Sequence, residues 1–243
     1  LSIGGKPSGS IRDMLKVWEA DIKYTECYIY DKGLIPGMPY KVENGKLIPI
    51  EYNLDPQILN SIKNALKDDA NDLDLLLNWA KLLECPVPKF LRAAVDIEVY
   101  SPIATRMPSA SEAEYPVICA SIAGTDGEKK VFLLKREGVE EGDAALPTDV
   151  KVLYFDSERK LLLEFFKSMI RYPFILTFNG DDFDLKYLYN RAKKLGFPKE
   201  SIPIELGRES ASVVHGIHVD LYKFFFNRSI QIYAFNQKYR ENT

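Results

Sequence analysis

Residues 90–100 read FLRAAVDIEVY (Phe90 to Tyr100), with two carboxylates, Asp96 and Glu98, inside an otherwise apolar run. Branched aliphatic and aromatic side chains favour extended backbone, so the run predicts a strand. Side chains alternate sides along a strand, which puts Asp96 and Glu98 on one face. The flanking Ala93, Ala94, Val95, Ile97 and Val99 predict a central, largely buried strand. Two adjacent carboxylates there repel each other and are costly to desolvate. A hard divalent cation relieves that cost, because Mg²⁺ takes one or two carboxylates together with phosphate oxygens. The pattern D-x-E is itself common and recurs as Asp126/Glu128 and Asp156/Glu158. The first of these lies beside Gly127 in a turn. The second opens a helix, where Asp156 or Ser157 caps and Glu158 meets the positive end of the helix dipole. Only Asp96/Glu98 lies within an apolar strand.

Downstream, YPVICASIAG (Tyr115 to Gly124) and KKVFLLKR (Lys129 to Arg136) form two strand patterns around a glycine-containing turn, an antiparallel hairpin. VKVLYF (Val150 to Phe155) predicts another strand. A helix follows from Ser157 to about Tyr172, with Leu161, Leu162, Phe165, Phe166, Met169 and Ile170 on its apolar face. FILTF (Phe174 to Phe178) is a short strand, and DDFDLKYLYNRAKKLG (Asp181 to Gly196) a helix with a glycine stop. Residues 213–220 read as a tight hairpin around Gly216, and a helix begins at Leu221. Strands and helices in this order predict a mixed sheet with helices on its faces, an α/β domain. Upstream, 55–84 reads as two helices beginning at Asp55-Pro56, and Cys85-Pro86-Val87-Pro88 ends them. A domain boundary is expected there, dividing 1–88 from 89–243.

The cluster NGDDFD (Asn179 to Asp184) leaves one strand and opens a helix, where open α/β sheets place ligands. If its strand neighbours that of Asp96, Asp184 comes near the first two carboxylates. The plain alternative is that Asp181 and Asp182 cap the helix and Asp184 is an ordinary first-turn acid. His215 and His218 flank a tight turn and are expected to face different ways in structural roles. In the run Phe224, Phe225 and Phe226, some rings are expected in the core.

Among 243 residues, 46% are hydrophobic and 28% charged, which excludes a disordered or low-complexity chain. No apolar run approaches the roughly 20 residues of a membrane helix, and no signal peptide is evident. A net charge of −3 excludes nucleic-acid binding by bulk charge and leaves a local patch or bound cations. Three scattered cysteines with no Cys/His cluster argue against zinc and fit a reducing compartment. Few Gln among many Lys, Glu and Ile suggest a thermophile.

Together these segments resemble the archaeal family B DNA polymerases. FLRAAVDIEVYS is similar to the first exonuclease motif of that family, and FILTFNGDDFDLKYLYNRAKKLG to the second, of form N-x-x-x-F-D. IHVDLYKF (Ile217 to Phe224) resembles the segment that follows, and YIYDKGLIP (Tyr28 to Pro36) a piece of the preceding N-terminal domain. The stretch 37–89 does not match the euryarchaeal pattern and reads as a lineage-specific insertion.

The resemblance implies an RNase H-like fold for 89–243, preceded by a partial N-terminal α+β region. It implies proofreading 3′–5′ exonuclease chemistry, in which water attacks the last phosphodiester in line with the departing 3′ oxygen, aided by two Mg²⁺ or Mn²⁺ ions. Asp96, Glu98 and Asp184 are then the catalytic metal ligands, and Asn179 and Phe183 contact the 3′-terminal nucleotides. Implied partners are the single-stranded 3′ end of primer DNA, the remaining polymerase domains and, through them, a sliding clamp, in a cytoplasmic, nucleoid-associated setting. A third family motif, Y-x-x-x-D, has no counterpart before Thr243, so the chain reads as a fragment unable to polymerise and weak as a nuclease. Two other readings are a single-strand DNA-binding module using Lys186, Arg191, Lys193, Lys194 and Arg208, and a stand-alone nuclease of the DEDD type.

Overall fold

The computed structural model describes residues 22–236, apart from 51, 66–69, 104–106, 140, 141, 143, 144, 146 and 209. The chain divides into two compact units after Pro88. The first holds helix α1 (Tyr24–Asp31), a hairpin of β1 (Tyr40–Glu43) and β2 (Lys46–Pro49), and helices α2 (Pro56–Ala65) and α3 (Ala70–Glu84). The hairpin turns on Asn44 and Gly45, with φ of 51° and 73°, the left-handed pair that a two-residue turn requires. Asp55 starts α2: its carboxylate accepts the Gln57 N–H at 2.7 Å.

The second unit is built on a six-stranded mixed sheet. Its strands are β3 (Arg92–Val99), β4 (Val117–Gly124), β5 (Lys129–Leu134), β6 (Lys151–Phe155), β7 (Phe174–Thr177) and β10 (Ile217–Asp220), in spatial order β10-β7-β3-β4-β5-β6. Only β4 runs against the others, through the expected β4–β5 hairpin. Helices α4 (Glu158–Ile170) and α5 (Asp184–Lys194) cross over between strands. A separate two-stranded ribbon, β8 (Ile204–Leu206) with β9 (Ala211–Val213), precedes β10. Helices α6 (Leu221–Phe226) and α7 (Arg228–Tyr233) follow it.

The core lies between one sheet face and helices α4 and α5. Ala93, Val95 and Ile97 of β3, Ala120 and Ile122 of β4, and Phe132 of β5 meet Leu161, Leu162, Phe165, Phe166, Leu185 and Leu188. Residues 92–98 alternate exposed and buried without a break. β3 is therefore central but half-buried, not largely buried as expected, and Asp96 and Glu98 sit on its open face with Ala94. Alternation wins over the apolar run because helices cover one side only.

Other expectations also change. Ile170 is the last residue of α4 and is 52% exposed. The segment around Gly216 is a turn but not a hairpin: β9 pairs with β8, while β10 pairs parallel to β7. None of Phe224, Phe225 and Phe226 is buried. Ser157 caps α4 without a side-chain hydrogen bond.

Glu158 does more than face a helix dipole. It is buried, accepts the Val117 N–H at 2.8 Å, and receives Arg191 of α5 through Nε at 2.8 Å and Nη2 at 2.7 Å. Arg191 Nη1 also donates to the Ala113 and Glu114 carbonyls. Tyr187 Oη donates to the Tyr115 carbonyl at 2.7 Å, and Asn190 Nδ2 to that of Ala110 at 2.9 Å. Helix α5 thus holds the β3–β4 connection in place. Arg191→Met should cost about 3–5 kcal/mol, because the Glu158 carboxylate is left buried and unpaired. Denaturant unfolding checks this, and a loss below about 1 kcal/mol contradicts it.

Candidate active site

Strand β3 outruns its neighbour. Its parallel pairing with β7 covers Arg92 to Ala94 and ends there, while β3 continues beside β4 to Val99. The strand edge at Ile97 therefore lacks a β7 partner, and Asp184 fills the place: Oδ1 accepts the Ile97 N–H at 3.2 Å. This brings the first turn of α5 against the strand that carries Asp96 and Glu98. Between Glu98 and Val99 the β3–β4 register slips, with Ile118 left over on β4. Such bulges bend the sheet and re-aim side chains beside functional sites.

The three carboxylates differ in environment. Asp96 and Glu98 are exposed. Asp184 is 5% exposed. Burial, followed by the negative charge of Asp96, raises its pKa from 3.8 to about 6; the Ile97 hydrogen bond opposes the rise and Asp220 adds to it. The desolvation cost expected at Asp96 and Glu98 thus falls on Asp184. Cys119 lies opposite Glu98 on β4 and registers the same field. Burial raises its thiol pKa first, then the charges of Glu98 and Asp96. Asp96 is the carboxylate sensed from both sides.

The Asn179–Asp182 loop is held by a residue that sequence reading assigned no role. Asp220, 6% exposed at the end of β10, accepts the Asn179 N–H through Oδ1 at 2.9 Å and the Asp181 N–H through Oδ2 at 3.0 Å. Its Oδ1 also accepts the Tyr222 N–H at 2.9 Å and so caps α6. One carboxylate clamps two chain segments, and its backbone partners about 40 residues upstream leave no local signal. A segment similar to the region after the second motif was the only hint.

Asn179 takes a left-handed conformation, φ 65°, tolerable for Asn. A β-carbon on Gly180 would collide with the Thr177 side chain. Gly180→Ala should therefore displace the loop at a cost of about 1–3 kcal/mol. Thermal unfolding reads the effect, and an unchanged midpoint contradicts it. Asp181 and Asp182 do not cap α5: the N-cap is Phe183, without a side-chain bond. Asp181 instead accepts the Ala211 N–H at 2.6 Å and pairs with Lys223 at 2.9 Å. Phe183 packs on the core and meets the Tyr187 ring at 5.6 Å.

The histidines face apart, as expected. His218 Nε2 meets Thr177 Oγ1 at 2.8 Å, whereas His215 Nε2 meets the Met169 carbonyl at 3.1 Å. Of the basic residues considered for a DNA groove, Arg191 is committed to Glu158, and Lys193 lies over the Tyr189 ring at 5.6 Å.

Among the described residues no three His, Cys, Asp or Glu side chains converge into a ready metal cage. The donor set nevertheless suits a hard cation: all oxygen, all acidic, two carboxylates open to solvent and a third whose pKa is raised by burial and by its neighbour's charge. A partial cage is what Mg²⁺ uses, since it keeps waters and substrate oxygens in its shell. Among the described residues no helix is long and apolar enough to cross a membrane.

Residues 15–236 match the family model described as DNA polymerase family B, exonuclease domain. DNA polymerase 1 of Saccharolobus solfataricus is 47% identical over 94% of this chain, and that of Aeropyrum pernix 44% identical over 93%. A DNA polymerase of Methanocaldococcus jannaschii is 25% identical over 85%. The chain spans about a quarter of the length of the first two, 26% and 24%, and 10% of the third. Alignment over 94% of the chain takes in most of 37–89, so that stretch is shared with the Saccharolobus protein. The chain belongs to the family B DNA polymerases, of which it carries the exonuclease domain.

Proposed function

We propose that, within the intact polymerase, residues 89–243 form the domain that hydrolyses the 3′-terminal phosphodiester of single-stranded DNA, and that residues 1–88 belong to an N-terminal domain of the same polymerase. The observation that carries the reading is the meeting of Asp184 with β3: its carboxylate bonds Ile97, between Asp96 and Glu98, and feels the charge of Asp96. Acids from two segments 86 residues apart are thus brought to one strand. Divalent cations, as a phosphodiesterase uses them, would offset that repulsion.

In this reading Asp96, Glu98 and Asp184 would be the residues that hold divalent cations, Mg²⁺ or Mn²⁺. Such ions polarise a phosphoryl oxygen, acidify water and stabilise a departing oxyanion. The residues of the chain do the placing. Asp96 shares its strand face with Glu98, and its charge reaches Asp184. Ile97 N–H fixes one Asp184 oxygen at the strand edge. Asn179 and Phe183, on the loop clamped by Asp220, contact the terminal nucleotide. The acids and their cations also reconcile a net charge of −3 with a polyanionic substrate. The test is Mg²⁺-dependent release of nucleoside monophosphate from a 3′-labelled single strand, with Asp96→Ala as the control. The parent polymerase, its primer DNA and a clamp partner belong to the same proposal.

A further inference from the structure

Three aromatic rings stand in contact outside the core, next to the candidate site. Phe178 is one residue past β7 and one before Asn179. Its ring meets Tyr222 at 5.7 Å, edge to face, and Tyr222 stacks on Phe226 at 5.9 Å with 7° between planes. Phe178 is 46% and Phe226 66% exposed. Solvent exposure of stacked aromatics forgoes their burial, so such a cluster marks a binding surface more often than a packing accident.

Register places it. Ala94 of β3 pairs with Leu176 of β7, so these two share a sheet face. Along 174–178 the burial alternates, with Ile175 and Thr177 buried and Phe174, Leu176 and Phe178 on the other side. Arg92, Ala94, Asp96 and Glu98 are the exposed residues of that same side on β3. Phe178 therefore continues the face that carries the carboxylates, one strand away. Asp220 binds the backbone of both Asn179 and Tyr222, locking the ring cluster to the loop expected at the 3′ nucleotide.

We propose that Phe178, Tyr222 and Phe226 form a stacking platform for unpaired bases of the strand whose 3′ end enters the site. The occupant is single-stranded nucleic acid, because the rings adjoin a site for its terminus and every base presents a flat apolar face. The platform rests on the exonuclease reading for its orientation. It adds a sequence-tolerant grip that the acidic site cannot supply.

The test uses the 243-residue chain in EDTA with a single strand carrying 2-aminopurine near its 3′ end. Wild-type chain should quench the fluorescence as the base stacks. Phe178→Ala and Phe226→Ala should each weaken binding by about 5- to 100-fold and relieve the quenching. Phe178→Trp should restore both. In a polymerase containing this domain, the Phe178→Ala loss should fall on KM for the single strand more than on kcat. Phe226, being more exposed, carries the test if Phe178→Ala fails to fold. Unchanged affinity and quenching in Phe226→Ala, or equal weakening in Phe178→Trp, overturns the platform. So do variants that shift only the unfolding temperature, which would make this a protein-packing face. Asp96→Ala separates the two readings: abolished hydrolysis with quenching retained supports both, whereas undiminished hydrolysis sinks the exonuclease reading and leaves the quenching result standing.

Discussion

Asp96→Ala is expected to lower release of 3′-terminal nucleotide by on the order of 10²- to 10³-fold, the largest effect of any single change in the domain. The reason is position. Asp96 shares the open face of β3 with Glu98. Its charge also raises the pKa of Asp184 on one side and Cys119 on the other. Removing Glu98 or Asp184 takes one wall from a cation site, while removing Asp96 takes the shared one. The measurement is initial-rate hydrolysis of a labelled single strand by a polymerase containing this domain, at saturating Mg²⁺. Polymerisation by the same preparation controls for folding. A loss smaller for Asp96→Ala than for Glu98→Ala would contradict the central placement.

The second expectation concerns stability without divalent cations, and its sign follows from Asp184. An unfolded chain ionises this carboxyl near 3.8, while burial and the charge of Asp96 hold it at about 6 in the fold. Below 3.8 both states keep the proton, and the native contribution is whole. As pH rises toward 6 the unfolded chain has released its proton and the fold still retains it, so stability declines. Above 6 the loss is complete and amounts to about 3 kcal/mol. Asp184→Asn removes the charge and keeps an oxygen to accept the Ile97 N–H. In EDTA at pH 8 the variant should unfold at a temperature higher than wild type by on the order of 5 °C, converging with it near pH 4. Adding Mn²⁺ at pH 8 should stabilise wild type and help the variant less. A variant equal to wild type at both pH values would mean that Asp184 ionises freely in the fold.

The same residue marks where local pattern stops informing. Asp184 is visible in sequence as an acid in the first turn of a helix, and so is Glu158. Their fates diverge because of distant chain: Asp184 meets an edge of β3 that β7 is too short to cover, and Glu158 meets Arg191. Asp220 is legible locally only as the N-cap of α6, since the other backbone groups it binds lie on another strand exit. Ile170 and the Phe224–Phe226 run were read as core because apolar residues recur there. Ile170, Phe224 and Phe226 are exposed and Phe225 is half-buried, so none joins the core.

By itself the sequence determined the strand carrying Asp96 and Glu98, their common face, the β4–β5 hairpin, the long helices and the family motifs. These are short-range properties: a period of two or of 3.6, a turn glycine, residues spaced along one segment. Only the tertiary structure decided that β3 is buried on one side, that Asp184 rather than Asp96 carries the desolvation, and that Asp220 clamps the loop to α6. Those outcomes depend on which strand ends first and which helix covers which face. Such facts arise from segments tens of residues apart, and no local periodicity encodes them.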